Sequence, residues 1–97
     1  MTNEKILNLA FNEKIDFIQK GEYLDILIRD ESELVRMEVA RHGFGLDILV
    51  NDECELVRME VARHGFGLDI LINDECELVR MEIVAWLMVY KIYSTDN

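Results

Sequence analysis

The chain has 97 residues, of which 51% are hydrophobic: enough apolar material for one modest core and too much for a disordered chain. Twenty acidic residues against ten basic ones give a net charge of −10, which disfavours a nucleic-acid partner because phosphate backbones are gripped by Lys and Arg. The N-terminus, MTNEKILNLAF, lacks a basic segment followed by an apolar one, and the longest apolar run, Ile83 to Tyr90, is too short to span a bilayer. A cytoplasmic protein with no membrane partner is therefore expected.

Residues 3–11 and 13–20 read as two short helices, with Asn12 as the break and N-cap and Gly21 as the stop. Ile6, Leu7, Ala10 and Phe11 form one apolar stripe, and Ile15 and Ile18 begin another. The segment from Asn12 to Leu27 ends in LDIL and resembles an eroded copy of the units that begin at Leu24. Residues 1–23 are accordingly expected to form an N-terminal cap with a degenerate repeat.

From Leu24 the chain repeats with a period of 22 residues. Residues 24–45 read LDILIRDESELVRMEVARHGFG; residues 46–67 differ from them only at Val50, Asn51 and Cys54. Residues 68–89 keep the pattern as far as Glu82 and then abandon it for IVAWLMV, and residues 90–97 complete the last helix and a tail. Self-similarity at a fixed period marks a stacked-repeat architecture within a single domain. The three units carry charges of −2, −3 and −4, so the acidity belongs to the repeated surface.

Each unit reads as a short helix through LDIL and a longer one. Asp30, Asp52 and Asp74, followed three residues later by Glu33, Glu55 and Glu77, have the spacing of a capping box, worth about 1 kcal/mol for the cap. Gly43 and Gly65 follow His42 and His64 and supply the left-handed residue that ends a helix. About twelve helical residues are expected between them. At 100° per residue, Cys54, Val57 and Val61 share one side and Leu56, Met59 and Ala62 another, leaving a narrow polar arc with Glu53, Glu60 and His64. A helix apolar on two sides has neighbours on two sides. Arg58 stands between the apolar sides and needs a carboxylate, for which the Asp residues of adjacent units are the repeating candidates.

The run DECELVRMEVA, residues 52–62, resembles the Asp…Val-Arg…Ala pattern of HEAT-like repeats and is similar to the leucine-rich-repeat variant, both armadillo-type families. The resemblance covers Leu24 to Glu82. It implies an all-α, right-handed α-α superhelix and a ladder of Asp30, Asp52 and Asp74 with Arg36, Arg58 and Arg80 tying successive units together. The period is shorter than is usual in either family, and the chain contains no proline. The function implied is a protein–protein interaction module or scaffold, without catalysis. The alternatives are an enzyme or accessory subunit on the same scaffold, such as a lyase, or an acidic inhibitor or immunity-type protein that neutralises a basic partner.

No cofactor and no metal is expected. His42 and His64 are the only histidines, no Cys-x-x-Cys or His-x-x-x-His spacing occurs, and each histidine is placed to hydrogen-bond a helix end. Carboxylates recur identically from unit to unit, whereas an active site assembles different groups around one substrate. Glu38, Glu60, His42 and His64 mark the candidate surface for a protein partner, a basic one given the charge. Cys54 and Cys76, one period apart, are expected as free thiols, because neighbouring helices sit roughly 8–10 Å apart and a disulfide needs Cα atoms within about 7 Å.

The last helix has lost its glycine stop and should run from about Glu75 to Tyr93. Ile83, Trp86, Tyr90 and Tyr93 follow one stripe; Val84, Leu87 and Met88 cover much of the rest, and Lys91 interrupts it. Such a helix either folds over the end of the repeats or presents an apolar face. Self-association as a two-fold homodimer through Trp86, Leu87, Tyr90 and Tyr93 is the expectation favoured here, ahead of membrane-surface binding, which the scarcity of basic residues weakens.

Overall fold

A computed structural model describes the backbone of residues 1–94 and the side chains of residues 1–91. Among the described residues the chain is all-helical, with eight α-helices and no strand: α1 (Asn3–Leu7), α2 (Phe11–Gln19), α3 (Leu24–Leu27), α4 (Glu33–His42), α5 (Leu46–Leu49), α6 (Glu55–Arg63), α7 (Leu68–Leu71) and α8 (Glu77–Ser94). The longer helices form a row in which α4 packs on α2, α6 on α4 and α8 on α6. The short helices are wedged between them, α5 touching α4 and α6, and α7 touching α6 and α8.

The core repeats with the sequence. Leu27, Leu49 and Leu71 from the short helices are buried, as are Val35, Val57 and Val79 and, one turn on, Val39, Val61 and Ile83. The expectation that the longer helices have neighbours on two sides holds for α4 and α6. Val57, Val61 and Ala62 are buried and Cys54 and Met59 half-buried, as the helical projection gave, but Leu56 is exposed, and Glu60 from the polar arc is buried. The LDIL segments are single α-turns, closed by bonds such as Ile28 N–H to the Leu24 carbonyl at 3.0 Å. The longer helices have ten residues in α4 and nine in α6, not twelve.

Two boundaries differ from the sequence reading. The N-terminal break falls at residues 8–10, not at Asn12. Thr2 caps α1 through its hydroxyl, and Ala10, whose N–H donates to the Glu13 side chain, precedes α2. Secondly, Asp30, Asp52 and Asp74 are not N-caps. Ser32 and Cys54 occupy that place, and the Asp side chains instead accept the N–H two residues on, from Ser32, Cys54 and Cys76 at 2.8–2.9 Å. Each Asp thus shapes the turn before the helix while its second oxygen faces the preceding unit.

Counting back 22 residues from Arg36 reaches Lys14, from Gly43 reaches Gly21 and from Leu46 reaches Leu24. The cap is therefore a complete unit, with α1 and α2 in the places of a short and a longer helix. Its left-handed position before α3 is filled by Tyr23 at φ 59°, where the later units have Gly45 and Gly67. The Tyr23 ring packs edge-on against Phe17, 4.9 Å between centroids.

The glycines that end the longer helices have two duties. Gly43 and Gly65 adopt φ of 90° and 72°. They also lie under a side chain from the next unit: His42 over Gly21, His64 over Gly43, and Trp86, one period after His64, over Gly65. A Cβ on Gly65 would come within 2.4 Å of the indole. Gly65→Ala is expected to destabilise by about 1–3 kcal/mol, through left-handed strain and a displaced Trp86. Urea unfolding followed by Trp86 fluorescence measures it, and a change near zero would mean the contact is not held.

Candidate functional site

The ladder that the sequence suggested is assembled, with one substitution at its start. Arg36 Nε and Nη2 donate to the two oxygens of Asp52 at 2.8 and 3.1 Å, and Arg58 does the same to Asp74 at 2.7 and 3.1 Å. Each guanidinium also turns back, Nη1 donating to its own unit's Asp30 or Asp52 carbonyl at 2.7 Å. One planar cation so satisfies a carboxylate sixteen residues ahead and a carbonyl six residues behind, and those offsets together make one period. In the first unit Lys14 takes the arginine's place, 2.6 Å from Asp30 Oδ2, a buried oxygen with no other partner among the described residues. An ammonium is a single point of charge where arginine is a fork.

Burial and pairing set the ionisation of these groups. Burial by itself would push the Asp74 carboxyl up. The hydrogen bonds from Arg58 and the Cys76 N–H, with the charges of Arg58 and Arg80, outweigh it and hold Asp74 below the usual carboxylate range. The Asp52 and Asp74 hydrogen bonds raise the Arg36 and Arg58 guanidiniums against their burial.

Arg80 closes the row differently. It donates to the Asp74 carbonyl as its predecessors do, but meets no carboxylate among the described residues. Asp96 stands sixteen residues further on in the sequence and lies outside them.

A second charged row was not read from the sequence. Arg41 donates to Glu38 and, across to the next unit, to Glu60 at 2.9 Å. Arg63 donates to that same Glu60 oxygen at 3.0 Å and onward to Glu82 at 3.0 Å. Glu38, Arg41, Glu60, Arg63 and Glu82 form one alternating chain across α4, α6 and α8. The signal was present: Arg41 to Glu60 and Arg63 to Glu82 are both offsets of nineteen, the period less one helical turn. Glu60, only 4% exposed, is consumed by this row, which corrects its assignment to a partner surface; Glu38 is half-buried beside it.

The histidines divide. His64 Nε2–H donates to the Arg41 carbonyl at 3.1 Å, closing the helix end of the preceding unit and not of its own. His42 is exposed and packs over Gly21. Trp86 is half-buried over Gly65 and stacks on Tyr90 with centroids 5.4 Å apart, so it serves the interior of the row. Leu87 and Tyr90 are exposed, and the side chain of Tyr93 lies outside the described residues. Cys54 and Cys76 are free and half-buried.

The described residues contain no group of three or more His, Cys, Asp or Glu side chains arranged to hold a metal, and no helix long and apolar enough to cross a membrane. The clefts along the ladder are shallow and lined by the ladder itself, one by Asp30, Glu31, Arg36, Asp52 and Glu53, the next by Asp52, Glu53, Arg58, Asp74 and Glu75. Comparison with known proteins found no matching family model, no matching curated protein and no matching solved structure.

Two outcomes are expected from the ladder. Arg58→Ala strands Asp74 and empties a buried site, and should cost roughly 2–4 kcal/mol. A loss within about 0.5 kcal/mol in chemical denaturation, the ordinary surface range, would contradict the two-sided role of Arg58. The second concerns acid. Asp74 has a folded pKa below its unfolded value of about 3.9, so its contribution is complete above that value and is lost as the pH falls through the folded pKa. Stability measured from neutral pH downward should therefore fall on an acid limb that is shallower in Asp74→Asn.

Proposed function

We propose that the chain is a short right-handed α-α solenoid of helix pairs that acts as a protein-binding module for a basic, extended partner. The observation that carries this reading is the exposed surface that recurs unit by unit. Glu31 and Leu34 are both exposed where the loop enters α4, and so are Glu53 and Leu56 at α6 and Glu75 and Leu78 at α8. The glutamate of each set borders the ladder clefts.

The geometry favours an extended ligand. Neighbouring helices in such a row are separated by about 10 Å. A chain in the extended polyproline II conformation rises about 3.1 Å per residue with three residues per turn, so every third side chain lies on one face and advances about one unit. A partner with Lys or Arg at every third position would meet one acidic set per unit, its aliphatic stems lying on the leucines. An enzyme reading would call for unrepeated polar groups converging in an enclosed pocket. The clefts here offer the same groups repeated in the open, which favours binding over catalysis. A cytoplasmic location goes with this reading and with two free thiols.

Calorimetric titration with a synthetic peptide bearing Lys at every third position provides the test. Binding should weaken with salt. The exposed triple variant Glu31→Gln, Glu53→Gln, Glu75→Gln should lose about tenfold in affinity, as expected for three surface ion pairs. A peptide of the same composition with its lysines clustered should bind less well. Equal affinity for the two peptides, or for wild type and triple variant, would remove the proposal.

A further inference from the structure

The two ends of the row are not alike. Residues that face the next unit are sealed in the first two full units and open in the third: Ile28 is 4% exposed, Val50 3%, and their counterpart Ile72 37%. Ala40 and Ala62 are fully buried, while Val84 is 46% exposed. At the N-terminal end, the position held by the buried Val35, Val57 and Val79 is filled by the exposed Glu13, and that of His42 and His64 by the exposed Lys20. The first unit therefore shows water a charged face, and α8 shows it an apolar one. A copy of the chain could not seat its charged N-terminal end on that apolar end without burying Glu13, so head-to-tail chaining is disfavoured.

The face on α8 has a symmetry of its own. Glu77, Met81, Val84, Met88 and Lys91 fall on one stripe with spacings of four, three, four and three, and all five are exposed. About Val84 as centre, Glu77 and Lys91 lie seven residues out on either side, one acidic and one basic, and Met81 and Met88 lie three and four out. We propose that this stripe is the contact between two copies of the chain, with the two α8 helices antiparallel about a two-fold axis at Val84. Met81 packs on Met88 of the partner subunit, Val84 on Val84 of the partner subunit, and Glu77 pairs with Lys91 of the partner subunit at both ends. A parallel pairing would set Glu77 on Glu77 and Lys91 on Lys91, so the charges select the antiparallel arrangement. The contact lies on the side of α8 opposite Trp86, which packs over Gly65, and so does not use the aromatic stripe that the sequence alone suggested.

Sedimentation equilibrium with charge reversal tests both the dimer and its register. Wild type should be dimeric at micromolar concentration. Met81→Glu, an exposed site in the single chain, should give a monomer with an unchanged helical circular dichroism spectrum. Glu77→Lys and Lys91→Glu should each weaken the dimer by about tenfold, since each turns two attractive contacts into repulsive ones. Combining them should restore wild-type affinity. A wild-type monomer overturns the proposal, including one that sediments with phospholipid vesicles, which would make the stripe a membrane contact. A dimer indifferent to Met81→Glu places the interface elsewhere, and a dimer that the double reversal fails to restore refutes the antiparallel register.

Discussion

The fold depends on one bifunctional contact, a guanidinium that binds the loop of its own unit and the carboxylate of the next. Arg58 holds the Asp52 carbonyl with one nitrogen and both Asp74 oxygens with two others. Asp74 in turn accepts the Cys76 N–H and so sets the turn from which α8 begins. A buried ion pair is by itself weak evidence of stability, because desolvation offsets most of the attraction. Here all three guanidinium nitrogens and both carboxylate oxygens are used, and the pair fixes register: a slip by one helical turn would leave a carboxylate and a guanidinium buried apart. The ladder's contribution is thus to specificity of stacking, on top of the apolar contacts of Val57, Val61 and Leu71.

Three further devices repeat with the same period. The Glu60 row links α4, α6 and α8, and the ring of His42, His64 or Trp86 covers a glycine of the unit before. Gly45 and Gly67, which precede the second and third LDIL turns, lie against Ile28 and Val50 of the preceding unit, so closely that a Cβ there would overlap those side chains. Each device links neighbours only, so the energetics are nearest-neighbour in character. Interior positions are then interchangeable, and the ends must differ. The N-terminal unit keeps the ladder with Lys14 and replaces buried valine by Glu13. The last unit replaces histidine by Trp86 and the glycine stop by a continued helix.

The sequence by itself determined the period, the helical class, the glycine stops and the ladder partners of Arg36 and Arg58, though not the Lys14 that precedes them. These come from local rules: a repeat is visible as letters, left-handed residues select glycine, and an arginine between two apolar faces requires an acid. Even the first unit was legible, since Lys14 lies one period before Arg36, but its other letters have drifted and concealed it.

Tertiary structure decided what depended on a neighbour. Asp52 has the letters of an N-cap, yet Arg36 holds both its oxygens, and Cys54 takes the cap position instead. Glu60 sits on the polar arc of an isolated helix, but two guanidiniums from successive units converge on it and bury it. Trp86 looked like a surface anchor because nothing local says that Gly65 lies beneath it. In each case the deciding contact joins residues sixteen to twenty-one positions apart. Helical periodicity describes one helix at a time, whereas burial here is set by the distance between helices, and only packing supplies that.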